Sequence, residues 1–324
     1  MNNQELYLKA INKEIDQIQY PVTPKDLYDP IAYILDLGGK RIRPVLVLMA
    51  SDIFSENPLS SMPAALAVEI FHNFTLLHDD VMDHADIRRG KPTVHKKWNE
   101  NAAILSGDAM LILAYQYLAK VDADKLAVLL PVFSQTAIEV CEGQQYDMDF
   151  ETRDNVTVDE YMEMIRLKTA VLLGCALKMG ALHSGSSMSD ADLLYRFGES
   201  IGLAFQLKDD LLDVYGDVAK FGKNIGGDIV SNKKTFLLIS AQQNAKGQMR
   251  DELMNWISGA EFDREEKVAA VRAIYDSLDL KQISEEKMKY YYNMAIDALD
   301  QMSVSPERTA DLKELAYQLM FRES

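Results

Sequence analysis

Cysteine is nearly absent: Cys141 and Cys175 are the only two in 324 residues. A disulfide framework is excluded as the basis of the fold. Both cysteines lie in apolar segments and are expected to be reduced core thiols, which places the protein in the cytosol. Long hydrophobic runs are also missing. The richest, residues 45–50 and 110–118, fall far short of the ~20 residues a bilayer requires, so no membrane span is expected. Residues 1–20 alternate charged and apolar side chains without an apolar core, which excludes a signal peptide. Positive charge is scarce, with 34 basic against 50 acidic residues and a net charge of −16. Nucleic acid is thereby excluded as the main partner, since phosphate backbones require clustered Lys and Arg.

What is present is a globular composition, 48% hydrophobic and 26% charged, rich enough in apolar residues to exclude disorder. Nine prolines and 16 glycines leave long uninterrupted segments of helical period. In residues 62–77, Ala65, Leu66, Glu69, Ile70, Asn73 and Leu77 recur at steps of three and four. Residues 158–182, 189–215, 284–302 and 307–320 read the same way, and no run alternates as a strand would. The pattern predicts an all-α fold: one domain over residues 1–324, with roughly ten or more helices. Loops are expected at residues 37–39, 87–91, 150–156 and 216–232.

Two aspartate clusters stand out: Asp79-Asp80-x-x-Asp83 and Asp209-Asp210-x-x-Asp213. With 30 aspartates in 324 residues, such a motif arises by chance about 0.26 times per chain, so one copy carries little weight and two carry much. On a helix the first and last carboxylates of each motif project from one face, about 6 Å apart along the axis. Like charges at that spacing repel. A hard divalent cation offsets the cost, and Mg²⁺, which takes one or two carboxylates and completes its shell with water and phosphate oxygens, fits the pattern. The five histidines show no zinc-ligand spacing.

Basic residues gather near these clusters. Gly38-Gly39-Lys40-Arg41-Ile42-Arg43-Pro44 joins the end of one helical segment to the start of the next, where free N–H groups favour an anion. Arg88-Arg89-Gly90-Lys91 begins five residues after Asp83. Lys168-Thr169 lies mid-helix, and Lys223 and Lys233-Lys234 bracket Gly226-Gly227-Asp228. Carboxylates for metal, bases for phosphate and apolar helices around them together describe a substrate with a diphosphate head and a hydrocarbon tail.

These motifs, in this order and spacing, resemble the trans-isoprenyl diphosphate synthases, or polyprenyl synthetases. The resemblance covers nearly the whole chain and includes Gly107-Asp108-Ala109, Lys168-Thr169-Ala170 and Phe205-Gln206. It implies a helical bundle around a central apolar cavity, a homodimer, and Mg²⁺-dependent condensation of isopentenyl diphosphate with an allylic prenyl diphosphate by ionisation, condensation and elimination. Position by position, it implies that Asp79, Asp80, Asp83, Asp209, Asp210 and Asp213 hold Mg²⁺, roughly three ions per site. It assigns Arg88, Lys168, Lys223 and Lys233 to the allylic diphosphate, and Lys40, Arg43, His72 and Arg89 to isopentenyl diphosphate. Thr169 and Gln206 would line the reacting carbons. Phe74, with Thr75 after it and Phe71 one turn before, would set a short product, geranylgeranyl ahead of farnesyl. A class I terpene cyclase lacks a second aspartate triad of this kind, and a silent partner subunit would be expected to have lost aspartates.

Overall fold

Helical periodicity translates directly into helices in the computed structural model, which describes residues 3–216, 225–259 and 262–321. The helices are α1 (Asn3–Asp16), α2 (Lys25–Asp36), α3 (Ile42–Phe54), α4 (Met62–Met82), α5 (Val94–Lys97), α6 (Glu100–Leu118), α7 (Ala123–Thr152) and α8 (Val158–Ile165). They continue with α9 (Val171–His183), α10 (Met188–Tyr215), α11 (Gly227–Val230), α12 (Phe236–Asn244), α13 (Gln248–Ser258), α14 (Arg264–Ser277), α15 (Leu280–Asp300) and α16 (Ala310–Phe321). The fold is all-α, as expected. One departure falls where a loop was predicted: β1 (Ile87–Arg88) and β2 (Lys91–Pro92) pair antiparallel. Arg89 and Gly90, with φ of 52° and 75°, form the two-residue turn between them, the left-handed pair that matches strand twist.

The chain divides into two compact units. The first comprises Met1–Ser134, Cys175–Tyr195 and Ser303–Asp311; the second comprises Gln135–Gly174, Arg196–Met302 and Leu312–Ser324. In the first unit α4 packs along α6. Ala64, Ala65 and Ala67 on α4 and Ala103, Gly107 and Ala114 on α6 are all buried, and their small size lets the two helices approach closely. Gly107 has a specific reason to lack a side chain. A Cβ there would fall 2.1 Å from Nε2 of His78, next to the first aspartate cluster. An aromatic chain runs beneath that cluster: His78 on Phe74, Phe74 on Phe71, Phe71 on Phe133, and Phe133 on Tyr115, with ring centroids 4.8–5.5 Å apart.

The core of the second unit gathers Phe150, Tyr161, Met164, Leu207, Leu211, Phe236, Leu237, Ile274 and Tyr275. Its helices start on the expected caps. Thr157 and Glu160 form a reciprocal capping box on α8, Thr235 caps α12, and Asp263 caps α14. Between α8 and α9 the helix widens into a π turn at Arg166–Ala170. Such turns insert a residue and re-aim the side chains around it. Glycines press on it from two helices. A Cβ on Gly143 of α7 would lie 2.2 Å from the Lys168 amide nitrogen, and one on Gly202 of α10 would lie 2.7 Å from the Ala170 Cα.

One expectation is corrected. Cys175 is buried, but Cys141 is exposed on α7, so the two are not both core residues. By length and composition α7 reaches what a bilayer crossing requires, which the apolar runs considered from the sequence did not. It also carries Pro131, Glu139, Glu142, Asp147 and Asp149.

The glycine clasp makes a direct prediction. Gly143→Ala should destabilise the fold by about 1–3 kcal/mol through overpacking against the π turn. Urea denaturation measures this, and an unchanged midpoint would show that α7 can withdraw without cost.

Candidate active site

The first unit assembles a basic cluster from three separate stretches of sequence. Gly38 and Gly39, with φ of 72° and 136°, turn the chain from α2 into α3. Side chains are disfavoured there on backbone grounds, and at Gly39 also by space, because a Cβ would lie 2.8 Å from a guanidinium nitrogen of Arg89. Arg89 donates in turn to the Gly38 carbonyl. On the other side of the turn, Arg43 donates to Nε2 of His72 at 3.1 Å. A guanidinium can only donate, so Nε2 is the acceptor and His72 is neutral. Burial, followed by the neighbouring Arg43, Arg89, Arg88 and Arg41, pushes the His72 pKa well below its usual 6.5. Burial likewise lowers that of Arg43 to about 10. Lys40 is exposed beside them. Lys40, Arg43 and Arg89 beside neutral His72, with the Glu69 carboxylate near Arg43 and Arg89, form a site suited to an anion of high charge.

The first aspartate cluster ends α4. Asp79 is partly buried and Asp83 is exposed, whereas Asp80 turns inward and accepts from Nε of Arg88 at 2.8 Å. The β1–β2 hairpin thus returns Arg88 to the cluster, as the five-residue spacing suggested, and Tyr33 anchors the hairpin by donating to the Pro92 carbonyl at 2.8 Å. Phe74 and Phe71 are buried, Phe71 deeper within the aromatic chain. Thr75 donates to the His72 carbonyl of its own helix at 2.8 Å.

The second unit repeats the design with different partners. On α10, Asp209 is exposed and Asp213 partly buried, while Asp210 is buried. Asp210 accepts from the Tyr161 hydroxyl and from Nε2 of Gln206. Burial pushes its carboxyl up to about 7, Tyr161 opposing the shift and Asp228 reinforcing it. Asp213 accepts from the amide of Asp228 at 2.9 Å, and its carbonyl accepts from Gly226 at 2.6 Å. The Gly226–Asp228 turn is thereby tied to α10. Behind it, buried Lys267 donates to Oδ1 of Asn232 at 2.7 Å and to the Val230 carbonyl at 3.2 Å. Lys168, in the π turn beside Thr169, is paired with Asp147 at 2.5 Å. Lys233 is exposed and lies close enough to Asp210 to lower its pKa. Lys223 lies outside the described residues.

Among the described residues, no group of three or more acidic, His or Cys side chains is arranged to enclose a metal ion. The donor chemistry nonetheless fits Mg²⁺. In each cluster the middle carboxylate is engaged inward, and one outer carboxylate, Asp83 or Asp209, is exposed. Mg²⁺ uses one or two carboxylates and takes its remaining oxygens from water and phosphate. Sequence reasoning missed Glu69, Asp147, Tyr161, Asp228 and Lys267. For Tyr161 and Lys267 a signal existed, since a hydroxyl or ammonium on an otherwise apolar helix face demands a partner. For Asp147 and Glu69 the spacing carries none.

Comparison with known proteins agrees with this geometry. The family model described as polyprenyl synthetase matches residues 24–276. The chain is 40% identical over 312 residues to a geranylgeranyl diphosphate synthase of Methanosarcina mazei, covering 95% of this chain and 94% of that one. It is 38% identical over 253 residues to a geranylfarnesyl diphosphate synthase of Natronomonas pharaonis, covering 72% and 74% respectively. Among solved structures, a geranylgeranyl pyrophosphate synthetase from Pyrococcus horikoshii superposes with a TM-score of 0.92 at 33% identity, over 99% of this chain and 98% of that one. With aspartate clusters, basic cluster and sequence all in agreement, this chain belongs to the polyprenyl synthetase family and is a trans-prenyltransferase.

Proposed function

We propose that the enzyme joins isopentenyl diphosphate to an allylic prenyl diphosphate with Mg²⁺, releasing diphosphate and a trans product one five-carbon unit longer, geranylgeranyl diphosphate in preference to farnesyl. One observation carries the two-substrate reading: the first unit holds a basic cluster (Lys40, Arg43, His72, Arg89), joined by the Arg43–His72 contact, in addition to the Arg88–Asp80 pair. A terpene cyclase, with one diphosphate to bind, has no use for the extra cluster. A silent subunit is not favoured either, since all six aspartates are present.

In this reading Asp79, Asp80 and Asp83 on α4 and Asp209, Asp210 and Asp213 on α10 are the metal-holding groups, the middle aspartates acting through the partners that orient them. Bound Mg²⁺ would supply electrophilic stabilisation of the departing diphosphate. Arg88, Lys168, Lys233 and Lys223 neutralise charge on the same group. Lys168 comes to it from its Asp147 pair, so substrate exchanges one anionic partner for another. Lys40, Arg43, neutral His72 and Arg89 hold isopentenyl diphosphate, and Thr169 and Gln206 face the reacting carbons. The allylic C–O bond breaks, the double bond of isopentenyl diphosphate attacks the cation, and a proton leaves to the released diphosphate, which requires no side-chain base. A chain with two cysteines and no disulfide framework suits the cytosol. Exposed Ile104, Leu105 and Ile112 on α6 and Val128 and Leu130 on α7 form an apolar surface fitted to a second copy of the chain.

Three outcomes test this reading. Purified enzyme with Mg²⁺ and both substrates should release geranylgeranyl diphosphate, and Asp79→Ala or Asp209→Ala should lower turnover by about 10² or more without loss of helicity. Near-normal activity in either variant at saturating Mg²⁺ would remove that cluster from the metal site. Phe74 lies about 7.5 Å along α4 from Asp79, in the path of a growing tail. Phe74→Ala should lengthen the product by at least one five-carbon unit, whereas an unchanged chromatogram from active enzyme places the floor elsewhere. Sedimentation should give a dimer that Ile112→Lys shifts toward monomer, and a monomeric parent protein would reject the apolar surface as an interface.

A further inference from the structure

The basic motif at the start of α3 contains a third cation that does not face the anion site. Arg41 is buried, its side chain 2% exposed, between exposed Lys40 and partly buried Arg43. Its backbone is left-handed, φ 47° and ψ 37°, a conformation that a non-glycine residue adopts only when its surroundings enforce it. The enforcing contacts are visible. One guanidinium nitrogen donates to Oε1 of Glu69 at 2.5 Å, and another donates to the Leu35 carbonyl in the last turn of α2. Glu69 is equally buried, and Nδ2 of Asn73 donates to its Oε1 and to its carbonyl, each at 2.8 Å.

Arg41 therefore bolts three pieces together: its own turn, the end of α2, and α4 at the turn that carries His72. Arg43 meets His72 across the same junction, at 3.1 Å. The pair fixes where Lys40 and Arg43 stand relative to His72. Glu69 also supplies negative charge near Arg43 and Arg89, which repel each other, Arg89 being crowded further by Arg41 and Arg88. Stability alone is a poor reason for such a pair, because well-packed apolar replacements of buried ion pairs are often neutral or stabilising.

We propose that Arg41 and Glu69 are positioning residues for the isopentenyl diphosphate site, setting its geometry through Arg43 and His72 without touching substrate. The inference rests on the proposed two-substrate function, and its test separates the two. Arg41→Met/Glu69→Met replaces the pair by apolar groups and leaves no orphaned charge, so folding is retained. Steady-state kinetics should then show the Michaelis constant for isopentenyl diphosphate raised about tenfold or more, and that for the allylic substrate changed less than about twofold. Arg41→Lys, which keeps the charge but loses the second contact, should fall between the double variant and the parent protein. Arg43→Ala is the control for the underlying reading. If it raises the isopentenyl constant while a folded double variant does not, the pair is merely structural and the proposal is overturned. If Arg43→Ala has no effect, the site assignment itself fails. Should the double variant not fold, an unchanged isopentenyl constant in Arg41→Lys likewise overturns the proposal.

Discussion

Carboxylates one helical turn apart on an apolar helix repel each other, and this protein contains that arrangement twice, at Asp79/Asp83 and at Asp209/Asp213. Much of the surrounding structure answers that repulsion without quenching it. In each cluster the middle aspartate is turned inward, Asp80 to Arg88 and Asp210 to Tyr161 and Gln206, while Asp213 accepts from the Asp228 amide. The two solutions are chemically distinct. A guanidinium offsets the charge of Asp80, whereas burial pushes the Asp210 carboxyl toward the neutral form against the opposing hydrogen bond from the Tyr161 phenol. In both cases one outer carboxylate, Asp83 or Asp209, is exposed, where a hard cation and phosphate oxygens would complete the charge balance.

The same economy governs the cations. Basic side chains meant for a diphosphate must stand close together before it arrives, which costs Coulomb energy and backbone freedom. The structure meets that cost with constrained backbone: the Gly38-Gly39 turn, the Arg89-Gly90 hairpin turn, the left-handed Arg41, and the π turn that holds Lys168. Each is supported by a contact that only a small residue or a buried partner permits, such as Gly39 against Arg89, Gly143 against the Lys168 backbone, and Glu69 beneath Arg41.

Sequence alone determined the helical class, the aspartate and basic motifs and, through their order and spacing, the family. These are local properties: a periodicity of 3.6, a five-residue motif or a glycine pair reports on its own neighbourhood. The start of α4 at Met62 and the Arg88 return to the first cluster were legible for that reason, whereas α4 runs on to Met82, beyond the period read over residues 62–77. Tertiary structure decided what depends on distant partners. It set Arg41 apart from Lys40 and Arg43, although all three are basic and nearly adjacent, because Arg41 is buried in an ion pair with Glu69, 28 residues away. It widened an otherwise regular helical pattern into a π turn at Lys168, since two glycines on other helices press there. It exposed Cys141 and the apolar side chains of α6, whose composition reads as core, because burial is fixed by what packs against a helix and not by the helix itself.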